Sequence, residues 1–270
     1  MSGKSSRESR KRAIEAARKA ETRRRRRTRL AIGGGAVVAA AAIAVGVTLG
    51  VSGGPASGGT AGGGTAGGGT AGGGTAPKLA SLSTLGTLQA APAAGPLGPE
   101  AVPVPAGTAL AGTTVAAGAQ PVDGISCSAG EQTLFHIHAH LTIFVNGVAR
   151  QVPAAIGIPG GVAQNTASGT FIGSGTCFYW LHTHAADGIV HIESPAVRTF
   201  TLGEFFDEWG QPLGSSVAGP AHGHVTVLYN GKVFEGNPRD VPLTAHAQIQ
   251  LEVGTPLVAP ESISWAGTGL

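Results

Sequence analysis

The run 134-LFHIHAHLTIFVNG-147 constrains the fold more than any other part of the chain. Successive side chains on a strand point to opposite faces. Phe135, Ile137, Leu141, Ile143 and Val145 therefore share one face, and His136, His138, His140, Thr142 and Phe144 share the other. The apolar set marks the core face, so the histidines line a second surface. The run closes on Asn146-Gly147, a dipeptide suited to a two-residue hairpin turn. A second alternating run, 223–229, ends the same way in Asn230-Gly231. His138-Ala-His140-Leu-Thr142 also parallels His222-Gly-His224-Val-Thr226.

Between the two hairpins, 201-TLGEFFDEWG-210 carries a capping-box pattern in Thr201 and Glu204. Its apolar helical face is formed by Phe205, Phe206 and Trp209, and Gly210 ends it. The last alternating run is 246-HAQIQLEV-253. The order hairpin, insertion, helix, hairpin, final strand predicts an α+β fold. It would be a β-grasp-like sheet with one main helix, and 171–194 would form an inserted β-hairpin turning at Ala185–Gly188. The run from Val225 to Val253 resembles the C-terminal part of small sulfur-carrier β-grasp proteins. That resemblance is of architecture only, since the chain does not end in the Gly-Gly that such carriers need.

Charge is divided along the chain. Residues 1–30 carry thirteen Lys/Arg against three Glu, and beyond Val51 five Lys/Arg face twelve Asp/Glu. The total of +3 thus hides a basic tip and an acidic body, and a nucleic-acid partner is not expected. The uncharged run 30–51 would span about 33 Å as a helix, against the roughly 30 Å of a bilayer's hydrocarbon core. With 23-RRRRR-27 and Arg29 before it, the positive-inside rule predicts a single-pass membrane protein. Its N-terminus would be cytoplasmic, the basic block would lie on anionic lipid, and the C-terminal part would be extracytoplasmic. A cleaved signal peptide is the competing reading. Against it stand the long basic region and the lack of an A-x-A site after the run.

The segment 55-PASGGTAGGGTAGGGTAGGGTAP-77 repeats TAGGG three times, and 78–118 continues rich in Ala, Pro, Thr and Gly with one Lys and one Glu. Such composition predicts a flexible linker over 52–118, about 45 Å from end to end as a random coil. The expected organisation is a basic tail 1–29, a transmembrane helix 30–51, this linker, and a folded domain over 119–270. All nine His, both Cys, all three Trp and all eight Phe lie in that last segment. Cys127 and Cys177 are expected to form one disulfide in an oxidising compartment, stabilising the fold by about 4 kcal/mol. Cys177 as a metal ligand beside His182 is the alternative.

Residues i and i+2 on a strand lie about 6.7 Å apart, so two neighbouring imidazoles can reach one ion, whereas i and i+4 at about 13 Å cannot on a regular strand. His136, His138 and His140 thus offer two ligands at a time. The stretch 177-CFYWLHTHAADGIVHIES-194 adds His182 and His184, and His191 with Glu193 on a returning strand. Imidazole and carboxylate without sulfur suit zinc, copper(II), nickel or non-haem iron. Met1 is the sole methionine, which argues against a blue-copper site. The expected ligands are His138, His182, His184 and His191, then His140, His136 and Glu193, with copper or zinc as the ion. The bland alternative is a pH-responsive histidine surface. His246 is expected on a solvent face, and His222 with His224 in a second site or part of the first.

HIHAHLTIFVNG, CFYWLHTHAADGIVHIESP and FTLGEFFDEWG together resemble a family of exported or membrane-anchored bacterial and archaeal His-rich proteins of unknown function. The likeness covers roughly residues 124–254, and HTH…GxxHIES is its most specific part. Relatives in that family often carry an acid directly after the HTH. Here Ala185 stands there, with Asp187 two residues on. The resemblance implies no reaction.

Three functions compete. The first is a metal-binding module for sequestration, sensing or delivery. The second is a metalloenzyme with an open position and Glu193 as base or ligand. The third is a metal-free adhesive or scaffolding domain. No HExxH, nucleophile elbow or phosphate loop signals a known hydrolytic chemistry, and no protein partner is indicated.

Overall fold

The structure, a computed structural model, describes residues 76–113 and 119–270. Its centre is an eight-stranded sheet. In chain order the strands are β1 (Leu79–Ala80), β2 (Phe135–Val145), β3 (Val148–Arg150), β4 (Leu181–His182), β5 (Ile189–Ser194), β6 (Val225–Tyr229), β7 (Lys232–Phe234) and β8 (Gln248–Val253). They lie side by side as β1-β7-β6-β8-β2-β5-β4, and β3 also pairs with β2.

The eleven-residue β2 organises this sheet. One edge runs parallel to β8 from His140 to Val145. Along the other edge, Phe135–His140 pairs antiparallel with β5 and Ile143–Val145 with β3. Asn146 and Gly147 take positive φ of 51° and 73° between β2 and β3, and Asn230 and Gly231 take 50° and 73° between β6 and β7. Such left-handed pairs match the twist of the strands they join.

The core face of β2 is the apolar one. Ala139, Leu141 and Ile143 pack in one cluster with Leu181 and Ile192 of the neighbouring strands and with Val227, Ile249 and Leu251 across β8. The helix α1 (Leu202–Glu208) closes this cluster from below. Thr201 accepts from the Glu204 amide while the Glu204 carboxylate accepts from the Thr201 amide, a complete capping box. Phe205, Phe206 and Trp209 are fully buried.

The α+β, β-grasp-like fold class expected from the sequence is corrected by these elements. The described chain is mostly β, and its one α-helix is seven residues long. Helical periodicity over 201–210 marks a real helix, but about two turns of helix against so many strands do not make a helical layer. Within 171–194, β4 and β5 do pair antiparallel around the turn before Ile189, but not as a separate hairpin, because β5 is also hydrogen-bonded to β2 and carries β4 into the main sheet.

The single-pass membrane placement is likewise corrected, to no assigned localisation. No helix among the described residues is long and apolar enough to cross a membrane. The expected span 30–51, the basic tail 1–29 and the Gly-rich repeats lie outside the described residues.

Residues 76–113, read from composition as linker, are laid along the domain. Leu79 and Ala80 add a strand to β7, Gln89 bridges to Val258 and Ala109 to Gln151, and Val102 is fully buried. These contacts use single backbone bridges and leave no periodic pattern in the sequence. Cys127 and Cys177 form the expected disulfide, so Cys177 is not a thiolate ligand. It ties the short pairing of Cys127–Ser128 with Phe178–Tyr179 to the start of the His182 segment.

Candidate metal centre

The sheet brings the histidines together through register. On β2, β5 and β4, His138 stands opposite His191, and His191 opposite His182, so the three form a row across neighbouring strands. His136 stands opposite Glu193 in the next row. Directly paired residues share a face, and here that is the face away from the main core. Most of it is shielded from solvent, since His138, His182, His184, His191 and Glu193 are all buried, while His136 at its edge is exposed.

Gly188 makes this register possible. It sits at φ 85°, and a Cβ there would collide with the Leu141 carbonyl and lie 3.0 Å from the His140 ring. Gly188→Ala is expected to cost about 1–3 kcal/mol through overpacking, measured by chemical denaturation. A loss below about half of that range would show that β5 can shift away from β2 at little cost.

His191 is the hub. Its Nε2–H donates to Glu100 Oε1 at 2.7 Å, and its Nδ1 lies 3.5 Å from Glu193 Oε1. Burial works against charging this ring, yet the hydrogen bonds to Glu100 and Glu193 outweigh it and hold the imidazole up at about 9. Burial likewise opposes ionising Glu193, but His136 and His191 hold its carboxyl well below the usual carboxylate range. His136 Nε2 lies 2.9 Å from Glu193 Oε1 and 3.0 Å from His138 Nε2.

Three further imidazoles, those of His138, His182 and His184, are held neutral. Burial, followed by the charges of His191 and His136, pushes His138 down to about 3. Burial lowers His182 well below its ordinary value, and lowers His184. Both of these rings are oriented by the backbone. His182 Nδ1–H donates to the Tyr179 carbonyl at 2.8 Å, and His184 Nδ1–H to the Ile172 carbonyl at 2.5 Å. Their Nε2 atoms face each other at 3.2 Å, with Glu131 Oε1 3.5 Å from that of His184.

Three groups of ligand atoms result, each with its members within 4.8 Å of one another: His136, His138, His191 and Glu193; His182, His184 and His191; and Glu131, His182 and Glu193. Glu193 Oε2 and His191 Nδ1 are buried without a hydrogen-bond partner, as expected of donors directed at an ion rather than at protein. These buried His/Glu clusters could hold a metal ion.

Not every expected ligand joins them. His140 spends its Nε2–H on the Asp187 carbonyl at 3.0 Å and belongs to none of the three groups. It braces the Asp187–Gly188 turn against β2. His246 stacks on Trp265, with ring centroids 4.5 Å apart. His222 is exposed, and neither it nor His224 appears in these groups.

Two acids were missed. Glu100 arrives from the segment read as linker, and Glu131 from the loop before β2. The one signal for Glu100 was its isolation, as the sole carboxylate of 78–118. Asp187 adds a third acid beside Glu100. Burial, then the Glu100 charge, push its carboxyl up to about 7.

Comparison with known proteins identifies no relative: no family model, no curated protein and no solved structure matches the chain. The likeness to a His-rich family therefore rests on its three sequence motifs alone.

Proposed function

We propose that this protein binds a transition-metal ion, copper(II) or zinc, and serves to sequester, sense or deliver it. The observation that carries the reading is the convergence of His136, His138, His191 and Glu193. These four donors from two paired strands lie within 4.8 Å of one another, and Glu193 Oε2 is buried with no hydrogen-bond partner. Four nitrogen and oxygen donors without sulfur complete a tetrahedral zinc shell, and imidazole with carboxylate also suits copper(II). A filled shell leaves no protein-defined open position, which favours binding over catalysis at this group. Buried acids at Glu100, Asp187 and Glu193 give the pocket the negative potential that draws a cation.

Glu100 takes the role of an orienting partner. A metal-bound imidazole commonly donates its other N–H to a carboxylate, and loss of such a partner lowers metal affinity by about 10–100-fold. Glu100→Gln is expected to weaken zinc and copper(II) binding by about that factor in calorimetric titration. Glu193→Gln should abolish binding of the ion held by the four donors. Unchanged affinity in both variants would contradict this assignment of the ligands.

A further inference from the structure

We propose that the pocket is built for two metal ions, the second seated between His182 and His184 and sharing the Glu193 carboxylate with the first. The inference rests on the metal-binding reading above and extends it to a two-ion centre.

Backbone hydrogen bonds fix the tautomers of both rings. His182 and His184 each commit Nδ1–H to a backbone carbonyl, of Tyr179 and Ile172 respectively. A neutral imidazole protonated on Nδ1 carries its lone pair on Nε2. The two Nε2 atoms face each other at 3.2 Å, so two lone pairs meet with no proton between them. Protonating either ring would relieve the repulsion, but at the cost of a charge on a ring that is 0 % or 4 % exposed. A metal ion relieves it without that cost. Metal–nitrogen bonds of about 2.0–2.1 Å at tetrahedral angles place ligand nitrogens about 3.3 Å apart. The separation present is close to that value.

The count of donors points the same way. His136, His138, His191 and Glu193 already complete four-coordination for one ion. His182, His184 and Glu131 are then surplus to it, and β4, which carries His182, lies on the opposite side of β5 from β2, which carries His136 and His138. Glu193 is placed to serve both sides. Its Oε1 faces His136 at 2.9 Å, and its Oε2 is buried with no partner, while the residue also groups with Glu131 and His182 within 4.8 Å. A carboxylate that lends one oxygen to each ion holds them about 3.5–4 Å apart, the spacing of two-metal centres.

The test is stoichiometry on the full chain, prepared without an affinity tag, stripped by chelator with its disulfide intact, then dialysed against zinc and analysed for the element. Wild type is expected to hold two equivalents and His184→Ala one. Glu131→Gln should keep the first equivalent and bind the second about tenfold or more weakly. Its side chain is 41 % exposed, so this variant keeps the fold and remains informative if His184→Ala does not. With cobalt(II) in place of zinc, the second equivalent should weaken the paramagnetic resonance signal of the first through coupling across Glu193. One equivalent in the wild type, whichever variant removes it, overturns the two-ion centre and leaves the metal-binding reading in place. No bound metal overturns both.

Discussion

Metal-free protein carrying His191→Ala is expected to be about 3–5 kcal/mol less stable than the parent, the cost of removing one partner from a buried ion pair. The imidazolium of His191 stands between Glu100 and Glu193, at 2.7 Å and 3.5 Å, and all three are buried. Without it Glu100 and Glu193 each lose a buried ion-pair partner. The same pair sets a pH dependence in the metal-free state. His191 is raised to about 9, against about 6.5 in an unfolded chain. Between those values the native state holds a proton that the unfolded state has lost, so stability falls as pH rises. The contribution, about 3 kcal/mol, is complete below about pH 6.5 and gone above about pH 9. Denaturation of the metal-free parent across that window should show the decline, and His191→Ala should flatten it. A parent whose stability is level from pH 6 to 9 would contradict the charged hub.

Trp209→Ala is expected to cost about 3–5 kcal/mol, the range for emptying a large aromatic site in a core. Trp209 is fully buried, with its ring 5.3 Å from that of Phe206 and 6.2 Å from that of Phe205. Its indole N–H donates to the Gly112 carbonyl at 3.0 Å. The substitution thus removes core volume and also the hydrogen bond that holds the end of the 76–113 segment, at Gly112, against Trp209. Trp209→Phe should recover part of the packing loss but leave the Gly112 carbonyl without its donor. Limited proteolysis separates the two effects: both variants should be cut faster before residue 113, while Trp209→Ala alone shows the large loss in denaturation. A loss under about 1 kcal/mol for Trp209→Ala would place the core elsewhere.

Much of the site was legible because strands have a period of two. Alternation at 135–145 separated the core face of Leu141 and Ile143 from the face of His136 and His138, and the structure keeps that separation. The two Asn-Gly turns and the capped helix at Thr201 were local features, readable from a few residues each. What alternation cannot show is which strands become neighbours. The pairing of His138 with His191, and of His191 with His182, is a matter of register between distant segments. The same limit hid the fate of His140, whose spacing matches its neighbours but whose Nε2 meets a carbonyl at the Gly188 turn.

Composition misled where it stood in for pattern. Ala- and Pro-rich sequence with almost no charge fits a linker, and residues 76–113 have that composition. Yet a segment can be held by scattered contacts, such as Leu79 on β7, Val102 in the interior and Gly112 under Trp209. Glu100 reaches His191 only because this segment is in place. The helix was overweighted for a related reason: its signal is strong per residue, but seven residues against a sheet of eight strands leave the fold mostly β.

Elemental analysis of the untagged full chain, purified without chelator, decides the claim that the buried face of β2 and β5 is a metal site. Copper or zinc bound in stoichiometric amount, and lost in a His138→Ala/His191→Ala double variant that still forms the Cys127–Cys177 disulfide, is the predicted result. A chain that carries no metal as purified and takes up none when zinc or copper(II) is supplied would contradict the claim.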